Sequence, residues 1–195
     1  ALRGLDKSEL VAKAKAAVEV ALGESRRLGR LSMSMKQELA RACFDNDLQD
    51  AGKDVVLDIM RTADNPRAVE KTQGMLRSRG HADLAQDLAR QVHVEVRALV
   101  ATGAQKAKDG DYDGAVSEML SAVNKMPNNT HVLFNAALAL LRHIEHRGWN
   151  EQFSAQARSL IERVRRLDPG NERLPALADL HRRLHVKFGI GEIHA

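Results

Sequence analysis

Residues 109–129 constrain the fold of this chain more than any other segment, and they read DGDYDGAVSEMLSAVNKMPNN. Gly110 stands among polar residues, and a residue without a Cβ adopts the open backbone angles of a tight turn at little steric cost. Pro127 cannot continue a helix because it has no amide hydrogen to donate, and it disfavours helix in the residue before it. The segment therefore predicts a turn, a helix that begins at Tyr112, and a stop before the next helix.

The predicted helix carries one small residue on each side of a larger one. Ala115, Met119 and Ala122 lie four and three positions apart, which places them on one face of a helix. The alanines allow a neighbouring helix to come close, and Met119 fills the space between them. The pattern returns 42 positions later, where Ala157 corresponds to Ala115 and Pro169 follows the helix. The chain is therefore expected to contain repeated helical hairpins, with the extra residues of the longer period in 142–153.

A long apolar stripe precedes the first of these hairpins. It runs without any proline or turn signal through Leu84, Leu88, Val92, Val96, Leu99 and Gly103. This periodicity predicts one helix over residues 83–108, about 40 Å long at ~1.5 Å per residue, shared by two consecutive hairpins. A bend near His93 is the alternative, although the sequence has no helix breaker there.

Similar signals predict further helices over residues 7–25, 34–44, 48–63 and 66–78, and a last one from residue 171. Asp6 with Glu9 resembles a capping box, and Asn65 followed by Pro66 is typical of a helix start. The chain has only four prolines and 3% aromatic residues, which favours helices over strands. The sequence therefore predicts an all-α fold of about nine helices, with weaker repeats in residues 1–80 and clearer ones in residues 81–195.

The repeat marks at Gly103, Gly110, Tyr112 and Ala115, and their downstream counterparts, resemble the tetratricopeptide repeat family. The resemblance implies a right-handed solenoid of helical hairpins, continuous along the chain, in which the first helix of each hairpin lines a groove for a protein or peptide partner. It assigns to this groove Arg97, Val100, Lys108, His131, Asn135, Leu138 and Arg142. Asn135 interrupts an apolar segment where the family often has an asparagine that binds a peptide backbone. A polar contact between helices is the alternative role for Asn135.

A narrower resemblance covers residues 103–188, which are similar to the C-terminal tetratricopeptide region of proteobacterial response regulators that begin with a CheY-like receiver domain. It implies a cytoplasmic output region that passes a signal on by contact in a two-component system. No alternation of strands and helices with a strand-end aspartate occurs here, so no receiver is expected within these residues. Ala1 in place of Met suggests either processing of the N-terminus or, as the preferred interpretation, a piece of a longer protein.

The catalytic motifs that the sequence could carry are absent, and the chain is expected not to be an enzyme and to need no cofactor. There is no GxxxxGK[ST] phosphate loop and no GxSxG elbow. His181 and His185 lie four apart, as zinc ligands can, but they fall near an apolar stripe and are interpreted as partly buried packing residues rather than metal ligands. His143 and His146 are interpreted as surface residues.

Charge and hydropathy exclude other classes of function. The net charge of +4 invites a nucleic-acid partner, but acidic residues are interspersed with the basic ones and aromatic residues are rare, so none is expected. No apolar run approaches the ~20 residues of a membrane span. The single Cys43 predicts a buried thiol beside Leu39 and a reducing compartment. Two functions remain, a partner-binding scaffold and a scaffold that forms a homodimer, for example through residues 7–25.

Overall fold

The computed structural model describes residues 7–28 and 31–190. In this part of the chain there are nine α-helices and no β-strand, which confirms the all-α prediction. The helices are α1 Lys7–Leu28, α2 Met33–Asp45, α3 Gln49–Thr62, α4 Pro66–Ser78, α5 Ala82–Lys108, α6 Tyr112–Lys125, α7 Thr130–Arg147, α8 Glu151–Leu167 and α9 Leu174–Lys187. Asp6 lies outside the described residues.

Side-chain caps fix several helix starts where the sequence predicts them. Asn65 Oδ1 accepts a hydrogen bond from the Ala68 amide at 2.9 Å, and α4 begins at the proline that follows. The last helix begins at Leu174 and not at residue 171 as predicted. Asn171 Oδ1 accepts a hydrogen bond from the Arg173 amide, which holds a turn in front of the helix.

Helix α5 is unbroken from Ala82 to Lys108, so the prediction of one long helix is confirmed. The chain divides into two compact units, 1–92 and 93–195, and the boundary falls within α5. Before the boundary, Ala85 and Leu88 belong to the core of unit 1. After it, Gly103 approaches α6 so closely that a Cβ would lie 2.6 Å from Met119 Sδ. A larger residue at this position would require the Met119 side chain to move.

Unit 1 has two groups of buried apolar residues. The larger one includes Phe44, Val56, Ile59 and Leu76. The smaller consists of Val18, Leu39 and Cys43, with Leu22 packed against it. Cys43 is fully buried, as predicted, and burial raises the pKa of its thiol. A thiol without thiolate character is a weak nucleophile, so Cys43 acts as a small apolar residue.

Helix α1 departs from its predicted pattern. Helical spacing places Ala14, Ala17 and Ala21 on one face with Val18 and Leu22, but these three alanines are exposed. Among the side chains of α1 that the structure describes, Val18 and Leu22 are those that pack beside α2. Apolar spacing identifies which residues share a face, whereas the neighbouring helix decides how much of that face is covered.

In unit 2, helix α7 is central and packs against α6, α8 and α9. The predicted repeat residues are all buried against it or its neighbours, namely Ala115, Met119, Ala122, Ala157, Ile161 and Val164. The extra residues of the longer repeat extend α7 to Arg147 and lengthen α8 at its start. Gly148 makes the turn between them with φ of 102°. Such a positive φ is accessible to glycine at little cost.

Replacing Ala122 with leucine should reduce the free energy of unfolding by roughly 1–3 kcal/mol, because Ala122 is fully buried and extra carbon atoms must displace its neighbours. Ser121→Leu is the matched control, since Ser121 precedes it on the same helix and is exposed. Thermal or urea unfolding monitored by circular dichroism measures both. Equal stability of the two variants would mean that the assigned helix faces are wrong.

Candidate protein-binding surface

One stripe of α7 reaches the surface while the rest of the helix is enclosed. Between Val132 and Ile144 every residue is buried except Asn135, Leu138 and Arg142. These three continue from the exposed His131 at intervals of four, three and four, so they form one line along the helix. The structure therefore brings the four α7 residues predicted for the groove onto a single narrow surface, called the α7 stripe below.

The polar side chains of the α7 stripe bond within their own helix. Asn135 Nδ2 donates to the His131 carbonyl oxygen at 2.7 Å. Arg142 forms an ion pair with Glu145, three positions further on. Both side chains remain partly exposed. Asn135 thus makes its bond along α7 and not to another helix.

Helix α5 contributes a second line of exposed groups in unit 2. Arg97 and Lys108 are exposed and Val100 is half-buried, and all three lie on the helix face that begins at His93. Partial burial, followed by the charges of Arg173 and His93, lowers the pKa of His131. His93 is therefore within electrostatic reach of the start of the α7 stripe.

Arg173 also lies near the start of the α7 stripe, although no sequence pattern predicts this. Its guanidinium carbon lies 4.4 Å from the centre of the Phe134 ring, a cation–π distance. Phe134 and Arg173 are far apart in sequence, and no local pattern indicates their contact. The Arg173 side chain is exposed and adds a positive charge near His131.

A buried group of polar side chains lies between α8 and α9. Ser154 Oγ is 2.9 Å from His181 Nε2 and 3.3 Å from His185 Nε2, and all three residues are buried. The hydroxyl can donate to one imidazole and accept from the other. Burial, followed by the charges of His185 and Arg158, lowers the pKa of His181 to about 4. The predicted burial of both histidines is confirmed, and the Nε2 atom of each ring contacts the Ser154 hydroxyl within the core.

The other pair of histidines divides between the core and the surface. His146 is exposed, as interpreted from the sequence, and stacks on Tyr112 with ring centres 4.4 Å apart. His143 is buried, so its surface interpretation is wrong. Its Nε2 is 2.8 Å from Asp113 Oδ1, and its ring meets Phe153 edge to face at 4.8 Å. In the described part of the chain no three candidate ligands lie together to hold a metal ion.

A cleft of about 210 Å³ lies in unit 1, between α2 and α4. Two arginines line it, and both already bind carboxylates of unit 1. Arg79 pairs with Asp45 at 2.6 Å and Arg41 with Glu38 at 3.4 Å.

Comparison of this chain with protein-family models, with curated proteins and with solved structures gives no match. Among the described residues, no helix is both long enough and apolar enough to cross a membrane. The geometry of the α7 stripe and its surroundings is the basis for the function proposed next.

Proposed function

We propose that this chain is a non-catalytic scaffold that binds a protein or peptide partner along the α7 stripe. The supporting observation is the difference in burial along α7, where most residues are buried and Asn135 and Arg142 are among the few that are not. A helix enclosed by three others presents only one line of side chains to a partner. That line combines an amide, a guanidinium and the apolar Leu138, which suits a peptide with both backbone polar groups and apolar side chains.

The two polar residues have separate roles in this proposal. Asn135 Oδ1 accepts a hydrogen bond from a backbone N–H of the partner, while its Nδ2 stays bonded to the His131 carbonyl oxygen. Arg142 exchanges its exposed pair with Glu145 for a carboxylate or carbonyl oxygen of the partner. An exposed ion pair contributes little to stability, so its exchange costs little. Arg97, Lys108 and His131 extend the same surface.

The finer proposal is that the helical hairpins form a right-handed solenoid of the tetratricopeptide type. In that arrangement α5 and α7 are the first helices of consecutive hairpins and face the same groove. The burial of Ala115 and Ala157 at matching positions supports the repeat. The resemblance over residues 103–188 supports a setting in the cytoplasm, as the output region of a bacterial response regulator. Sequencing the coding region upstream of Ala1 tests this setting, and a receiver domain there is expected.

Replacing Asn135 and Arg142 together with alanine should weaken partner binding at least about tenfold, since two hydrogen bonds across the interface are lost. The partner is first identified by mass spectrometry after capture on the unaltered protein. Its affinity for both proteins is then measured by titration calorimetry, while circular dichroism checks that helicity is unchanged.

The matched control is the double variant Gln152→Ala and Arg165→Ala on α8. Both residues are exposed, and Arg165 pairs with Glu162 three positions away, as Arg142 does with Glu145. The control should bind like the unaltered protein. Undiminished binding by the well-folded α7 variant would place the binding surface elsewhere on the molecule.

A further inference from the structure

Helix α1 has an outer face that the described part of the chain leaves uncovered. Its inner face packs through Val18 and Leu22 against the group that contains Leu39 and Cys43. The opposite face is exposed and apolar, and Val20 alone is 67% exposed. The apolar part of this outer face consists of Ala12, Ala16, Val20 and Gly23, and the exposed Glu9 lies at its N-terminal end.

Such a face is unusual for a helix of this length. Most helices in proteins owe their stability to packing of an apolar face, yet Glu9 and residues 11–17 are all exposed. Gly23 is a poor helix former in the helix interior, and a Cβ at its position would meet no atom within 4 Å. A glycine there permits another backbone to come close.

The charged residues that flank the outer face change sign along α1. They are therefore complementary to the same residues of a second α1 that runs antiparallel. Lys13 and Lys15 precede the midpoint of α1, and Glu19 and Glu24 follow it. When a second α1 lies antiparallel about residues 17–18, Lys15 faces Glu19 of the second copy, and Lys13 faces Glu24 of the second copy. Lys15 and Glu19 border one side of the outer face, while Lys13 and Glu24 border the other.

An antiparallel pair brings each border against the same border of the other helix, so opposite charges meet on both sides. A parallel pair in register would bring like charges together. The same arrangement places Val20 against Ala16 of the second copy, so the larger side chain meets a small one. The pairing has two-fold symmetry, the commonest arrangement of homodimers.

We propose that the outer face of α1 is a homodimerisation surface that pairs antiparallel with α1 of a second copy of this chain. The surface lies on unit 1 and uses no residue of the α7 stripe.

Charge reversal tests the pairing directly. The first variant carries Lys13→Glu with Lys15→Glu, and the second carries Glu19→Lys with Glu24→Lys. Each alone brings like charges together on both borders and should weaken self-association about 10- to 100-fold. An equimolar mixture of the two should restore a dimer, because each chain now complements the other. Sedimentation equilibrium of the full chain measures all of these states.

The matched control reverses Asp87 and Arg90 on α5, an exposed ion pair in unit 1 that lies outside α1. This variant should dimerise like the unaltered protein. The proposal is overturned if the unaltered chain is monomeric at every accessible concentration. It is also overturned if the variants dimerise unchanged, or if the mixture of well-folded variants stays monomeric.

Discussion

Truncating Leu140 to alanine is expected to lower the free energy of unfolding by about 3 kcal/mol, one of the two largest effects among these predictions. Leu140 is fully buried on α7, the helix that contacts α6, α8 and α9. The lost methyl groups leave a cavity that three surrounding helices close only in part. Urea unfolding monitored by circular dichroism gives the difference.

Leu138→Ala is the matched control, because it makes the same chemical change on the same helix. Leu138 is half-buried on the α7 stripe, so its truncation should cost less than about 1 kcal/mol. Similar losses for the two variants would contradict the burial pattern of α7. That outcome would also remove the observation that supports the proposed binding surface.

Acidification from pH 7 to pH 4 is expected to lower the free energy of unfolding by up to about 3 kcal/mol through His181. Its pKa is about 4 in the folded protein, below the ordinary value of 6.5. The unfolded chain therefore binds the proton more readily than the folded one. The stabilisation is fully present above pH 6.5 and is lost as the pH falls towards 4. Partial burial also lowers the pKa of His131, so it contributes in the same direction.

His181→Gln should remove most of this pH dependence while keeping a polar side chain near Ser154. His146→Gln is the control, because His146 is exposed and stacks on Tyr112 at the surface. Denaturant unfolding at several pH values between 7 and 4 compares them. An identical pH dependence in His181→Gln and in the unaltered chain would show that other groups cause the acid destabilisation.

Several features of the structure could be read from short stretches of sequence. Gly110 has φ of 81°, as the turn before α6 requires, and Asn129 accepts a hydrogen bond from Val132 at the start of α7. Helix α5 runs unbroken past His93, where the sequence contains no breaker. These features depend on backbone preferences and on bonds between residues within a turn of one another.

The candidate surface was only partly predictable, because sequence patterns indicate contacts within a turn of helix but not contacts between distant residues. Spacing identified His131, Asn135, Leu138 and Arg142 as one line, because helical periodicity alone places them together. The contact of Arg173 with the Phe134 ring left no signal in the sequence, since it joins α7 to the residue before α9, which is distant in the chain.

Burial of polar side chains depended on the tertiary structure. His143 and His146 lie three positions apart near the end of α7, yet only His143 is buried, beside Phe153 and Asp113. Ser154 meets His181 and His185 because α8 packs on α9.

The sequence by itself determined where the helices lie, with ends displaced by up to three residues at α1 and α9, and which residues share a face. Those properties follow from steric limits and hydrogen bonds that act over a few residues. Only the tertiary structure decided which faces are covered, as the exposed alanines of α1 and the enclosed α7 demonstrate. Burial of a helix face by its neighbours removes water from that face and shifts the pKa values of its titratable groups. It depends on residues that are distant in the chain.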